Sequence, residues 1–173
     1  LEQLVYKEDV EETKVLDTFD QQIVNLIKKK KVSKDENINL IAGSISDHSN
    51  SRDIIKALIR YLKRDLNKLA IAEATFILKI LRKYITRENT KSHNLPVHLW
   101  KELSINDLRK IKNIQEFYRE MGLTEVLFTL FTLGDDALFT ECCRLSLAFL
   151  YGGNSKVQEE FFNNFLKDDE NSR

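Results

Sequence analysis

Adjacent cysteines at 142–143, three histidines and a run of four lysines are the residues of this chain whose types could do chemistry. Cys142 and Cys143 fall about 100° apart on a helix, so at most one of them faces a core squarely. A vicinal disulfide would strain the helix, and the pair reads as inert thiols. His93 and His98 straddle Pro96, with His48 far upstream. No cysteine or repeated carboxylate spacing accompanies them, as a zinc site would require. Lys28–Lys31 could hold a phosphate or a membrane surface, but no aromatic residues interleave them. Cations closing a helix C-terminus account for the run. Asp135-Asp136 follow Gly134 and read as helix-capping carboxylates, and "KDDENSR" (167–173) lacks the spacing and central glycine of an EF-hand. Nucleophile elbows, P-loops and metalloprotease motifs are missing too. The expectation is a non-enzyme with no cofactor and no metal.

The elements that would position these residues are helices. The 173 residues hold 42% hydrophobic and 31% charged side chains, with one proline and five glycines. That balance suits a globular helical fold and is poor in the turns an all-β fold needs. Lys+Arg and Asp+Glu are both 27, so the basic surplus of a general nucleic-acid binder is lacking. Two adjacent cysteines cannot form a disulfide framework, and no N-x-Ser/Thr sequon occurs, which fits a reducing compartment. No apolar run approaches the roughly 20 residues of a membrane span. The chain begins at Leu1 and is read as part of a longer protein.

Residues 1–15 read as an irregular acidic lead-in, and 16–96 as N-terminal helical repeats with a loop at 32–51 that holds at most one short helix. In the first helix Leu16, Phe19, Ile23 and Ile27 share a face that Lys28–Lys31 close. The next helix, capped by Ser51 or Asp53, carries Ile54, Ile55, Leu58, Ile59 and Leu62 inward. Another spans about 68–87, with Leu69, Ala72, Phe76, Ile77 and Ile80 inward. The linker "TRENTKSHNLP" marks a subdomain boundary, and 97–173 follow as C-terminal armadillo-like repeats. There a helix over 105–121 turns Leu108, Ile111, Ile114, Phe117 and Met121 inward, and Gly122 stands where a left-handed C-cap is expected. A short apolar helix ends at Gly134, and a longer one with Leu138, Cys142, Leu145 and Phe149 inward ends at Gly152-Gly153. A last helix restarts with Ser155 and Gln158 in capping-box spacing.

The phrase Gln115-Glu116-Phe117-Tyr118 returns as Gln158-Glu159-Glu160-Phe161-Phe162, 43 residues later. That interval matches armadillo and HEAT units, whose stacked helices bury a continuous core. The fold class expected is therefore all-α, an armadillo/HEAT-like helical solenoid. Its predicted core includes Leu58, Leu62, Phe76, Ile80, Leu130, Leu145, Phe149 and Phe161.

"ECCRLSLAFLYGGNSKVQEEFFNNFL" resembles the helix–Gly-Gly-Asn–helix segment of the intracellular calcium-release channels, the inositol trisphosphate and ryanodine receptors. Glu141, Leu145, Ala148, Leu150, Gly152, Gly153, Asn154, Gln158 and Phe162 carry the likeness. "MGLTEVLFTLFTLGDDALFTE" upstream is similar to the same segment of inositol trisphosphate receptors, and the resemblance covers about 122–166. It implies a cytosolic helical segment coupling ligand binding to pore gating, on the cytoplasmic face of the endoplasmic reticulum. Its partners would be neighbouring domains and subunits of a homotetramer, with no nucleic acid and no membrane insertion of its own. The structural or coupling residues would be Gly122, Gly134, Gly152, Gly153, Asn154 and Gln158. The alternative is a free armadillo-like adaptor that binds peptides or partner helices.

Overall fold

The computed structural model describes residues 35–46, 49–65, 70–88 and 104–171, and among them every regular element is a helix. Seven occur in chain order: α1 (Asp35–Ser46), α2 (Ser51–Asp65), α3 (Ile71–Glu88), α4 (Ile105–Glu120), α5 (Leu123–Phe131), α6 (Asp136–Leu150) and α7 (Ser155–Asn171). The all-α expectation holds over these residues. The lead-in, the helix over 16–31, residues 89–96 of the linker and all three histidines lie outside the described residues, while Thr86, Arg87 and Glu88 of that linker belong to α3.

The centre of the molecule is α3. One side of it packs on α1 and the other on α6, and these are the two most extensive helix contacts. Its buried face is Ala74, Ile77, Leu78, Ile80, Leu81, Tyr84 and Ile85. A helix apolar over so wide an arc belongs between two partners rather than at a surface. The helix begins at Ile71, about one turn later than its sequence suggests, which leaves Ala72 exposed instead of inward. Phe76 is only partly buried, packed at the edge of the core.

The 32–51 stretch holds more order than a loop. α1 is a twelve-residue helix that turns Ile38, Ala42 and Ile45 inward. Their 4–3 spacing is helical, but it sits among Asn and Ser residues of low helix propensity, which hide it. In α2 the stripe is as its spacing dictates: Ile54, Ile55, Leu58, Ile59 and Leu62 are all buried. Of the rest of the predicted core, Ile80, Leu130, Leu145, Phe149 and Phe161 are buried as well.

The side of α4 that turns inward matches the apolar stripe only in part. Ile111, Gln115 and Tyr118 are buried, whereas Leu108, Ile114, Phe117 and Met121 are half-exposed. Each polar tip donates to a carbonyl of another element, while the amide oxygen of Gln115 is buried without a hydrogen-bond partner among the described residues. Tyr118 Oη donates to Leu81 O of α3 at 2.9 Å, and Gln115 Nε2 donates to Tyr151 O at 2.5 Å. Burying an amide or phenol is tolerable when such a partner is fixed in place.

A chain of rings continues the core toward α7. Tyr118 meets Phe149 edge-on, Phe149 meets Phe161, and Phe161 meets Phe128. Ring centroids 5.6–6.1 Å apart are in the range where edge-to-face contacts add to simple burial.

Candidate functional site

Four of the six residues singled out by sequence, Gly152, Gly153, Asn154 and Gln158, lie at the elbow between α6 and α7. Tyr151 closes α6 in an extended conformation, φ −58° and ψ 137°. Gly152 and Gly153 follow at φ 78° and 74°, both left-handed. Two successive residues in that region are strained for any side chain bearing a Cβ. At Gly152 a Cβ would lie in ordinary contact, 3.4 Å from Ile111 Cγ2 and 3.7 Å from Leu108 Cδ2 of α4. At Gly153 the space is open, and backbone conformation alone demands glycine.

Asn154, 3% exposed, then starts α7. Its Oδ1 accepts from Lys156 N at 3.1 Å, and its carbonyl accepts from Gln158 N at 3.0 Å. The N-cap is therefore Asn154, one residue before the Ser155 that the capping-box spacing suggests. Ser155 is the first helical residue, and the side chain of Gln158 is exposed. Gln158 thus enters the elbow through its backbone only, unlike Gln115 at the matching place of the 43-residue repeat, which is buried. Tyr118 and Phe161, also 43 apart, are both core residues.

Two consecutive residues of α4 grip the elbow from either end. Gln115 holds the carbonyl of Tyr151, and Glu116 Oε1 accepts from Asn154 Nδ2 at 3.2 Å. Glu116 Oε2 accepts from Arg119 Nε at 3.0 Å and lies 3.6 Å from Lys156 Nζ. Arg119 in turn reaches Glu160 of α7 at 3.8 Å. Sequence reading missed Gln115 and Glu116 as elbow residues, because it took them only as marks of the repeat.

Burial raises the Glu116 carboxyl, and that is the largest single influence on it. The hydrogen bonds from Asn154 and Arg119, with the charges of Lys156 and Arg119, together outweigh it. The group is held below the ordinary carboxylate value. A depressed carboxylate stabilises the fold fully above the unfolded pKa, about 4.3 for Glu, and loses that contribution as pH falls through the folded value. Glu116→Gln should therefore flatten the acid limb of a melting-temperature profile taken from pH 7 downward. An unchanged limb would mean that the contacts of Glu116 contribute nothing to stability.

The other glycines serve turns elsewhere. Gly122, φ 74°, follows the last turn of α4 and donates to Arg119 O at 2.8 Å, the left-handed C-cap expected of it. Gly134, φ 69°, lies in open space between α5 and α6. Asp135 N-caps α6, its Oδ1 accepting from Leu138 N at 2.8 Å. Neither glycine is at the α6–α7 elbow.

One charged residue of the resemblance motif points inward. Glu141, 1% exposed, accepts from Arg82 Nε of α3 and lies 3.7 Å from Arg144. It ties the central helix to α6 across 59 residues of sequence. Cys142, its neighbour, is fully buried, and burial with the adjacent Cys143 and Glu141 pushes its thiol up to about 12. Such a thiol is protonated at neutral pH and is a poor nucleophile. Among the described residues, no group of three or more His, Cys, Asp or Glu is placed to hold a metal ion, and no helix is long and apolar enough to cross a membrane.

At this elbow α6 and α7 meet through two left-handed glycines, and α4 holds the turn through Gln115 and Glu116. Comparison with family models, with curated proteins and with solved structures finds no match for this chain.

Proposed function

We propose that the chain is a non-catalytic helical coupling segment, an armadillo/HEAT-like piece of an inositol trisphosphate receptor-like calcium-release channel. The observation behind this reading is the α6–α7 elbow. Gly152-Gly153-Asn154, the centre of the resembling motif, is fixed in angle by its backbone and gripped by Gln115 and Glu116. A rigid joint passes displacement from one helix pair to the next instead of absorbing it, as a coupling element between a ligand domain and a pore must.

The decisive sequence test is the complete reading frame. A channel of this family needs a β-trefoil ligand region upstream and a six-helix membrane region downstream. The mechanical test is the double variant Gly152→Ala/Gly153→Ala. Each alanine forced to positive φ should cost about 1 kcal/mol or more, and Gly152→Ala adds contact with Ile111. In the isolated chain the melting temperature should fall while helix content is kept. In the full channel, agonist-evoked calcium release should change without any change in agonist affinity of the ligand domain. Unaltered gating from a well-expressed double variant would overturn the coupling role.

The second reading, an adaptor for peptides or partner helices, is favoured by a different observation. Phe162 and Phe165 of α7 are each 61% exposed, an apolar face of the kind that meets partners. Further repeats and no membrane region in the reading frame would select it.

A further inference from the structure

α1, α3 and α6 pack side by side in a row, and beyond α6 the row holds no further helix among the described residues. The inward side of α6 carries Leu138, Cys142, Leu145 and Phe149. On another side Phe139, Cys143 and Leu147 recur at i, i+4 and i+8, within about 80° of one another at 100° per residue. Leu147 is 72% exposed and Phe139 51%, with Cys143 half-buried. α3 is apolar over a wide arc because neighbours cover both of its sides. α6 has a second apolar side as well, and that side faces solvent.

α7 shows the same condition in its polar residues. The 43-residue interval that carries Gln115 to Gln158 also carries Glu116 to Glu159 and Tyr118 to Phe161. α4 packs on α3, and α7 packs on α6 and α5, so the two helices hold corresponding places in successive units. Tyr118 and Phe161 are both buried. Gln115 and Glu116 reach past the start of α5 to the turn that closes α6, where they hold Tyr151 O and Asn154 Nδ2. Gln158 and Glu159 are exposed. They repeat the pair that grips a turn, in the same register, but turned to solvent.

We propose, on the helical-repeat part of the function above and independently of the channel, that α7 opens a further helical unit of the same polypeptide. The long helix of that unit covers Phe139, Cys143 and Leu147 as α6 covers α3. The turn closing that helix is held by Gln158 and Glu159, as Gln115 and Glu116 hold the α6–α7 elbow. A second copy stacked end to end is a poorer occupant. It would bring α1 onto Phe139 and Leu147, and the exposed described residues of α1 are Asn39 and Ser44. Polar outer faces of that kind close a stack of repeats instead of extending it.

The test compares the 173-residue chain with a longer one that continues the natural reading frame by one 43-residue interval. Cys143 is the reporter, since its neighbour Cys142 is fully buried. Peptide mapping should show N-ethylmaleimide alkylating Cys143 about tenfold more slowly in the longer chain, where reaction requires local opening. In the longer chain Leu147→Glu should return the rate toward that of the shorter one and lower the melting temperature, and Gln158→Ala should lower it too. In the 173-residue chain neither substitution should move it. Equal alkylation rates, substitutions that act alike in both chains, or a reading frame too short for the further unit would each overturn the proposal. So would a rate in the shorter chain that falls as its own concentration rises, which would give the face to a second copy. Protection of Cys143 in a reading frame that has no membrane region would remove the channel and uphold the further unit.

Discussion

Replacing Arg82 with leucine should cost about 3 kcal/mol of folding stability, measured by urea unfolding. Arg82 Nε donates to Glu141 Oε1, and the Glu141 side chain is 2% exposed. Removing one member of a buried pair leaves the other charged in a poor solvent, with typical losses of about 3–5 kcal/mol. Arg144, 3.7 Å from the second carboxylate oxygen but 60% exposed, softens the loss toward the lower figure. The double variant Arg82→Leu/Glu141→Leu should recover most of it, because two apolar side chains of similar size need no partner. A single-variant loss below about 1 kcal/mol would mean that the Glu141 carboxylate finds water, contrary to its burial.

Leu145→Ala should cost about 2–5 kcal/mol by the same measurement, the range for removing a buried leucine and leaving part of its volume empty. Leu145 is fully buried on the side of α6 that also carries Leu138, Cys142 and Phe149. That side faces α3, which is packed on its other flank as well and cannot easily move in to fill the space. Leu147→Ala, two positions on and 72% exposed, is the matched control. It should change stability by no more than about 0.5 kcal/mol. Equal losses at the two sites would show that α6 is rotated about its axis from the orientation described.

The apolar faces of α2 and α6 were legible because their inward aliphatic, aromatic and cysteine residues recur at helical spacing, although α6 also buries Glu141 and Ser146. The face of α4 was not. Of its expected stripe Ile111 is buried and Ile114, Phe117 and Met121 pack half-buried at the edge of the core, yet Gln115 and Tyr118 also turn inward because Tyr151 O and Leu81 O await them. Those acceptors lie 36 and 37 residues away in sequence, and no local pattern announces them. Glu141 was illegible for the same reason, with its partner Arg82 on another helix. At the elbow the glycines were readable from type alone, since few residues tolerate positive φ. The cap was misplaced by one position, because Asn154 and Ser155 are both good N-caps and only the path of the chain after Gly153 chooses between them.

The central place of α3 has a consequence for how the molecule opens. A helix covered by α1 on one side and α6 on the other can expose its amides only when both neighbours leave, which amounts to unfolding the whole domain. α7 contacts its neighbours on one side only and carries its aromatic flank in solvent. Its amides should exchange with deuterium by fraying from the end away from the Gly152-Gly153 turn while α3 stays protected. The domain is therefore graded in time, with a slow centre and a fast edge, and the elbow is the border between them.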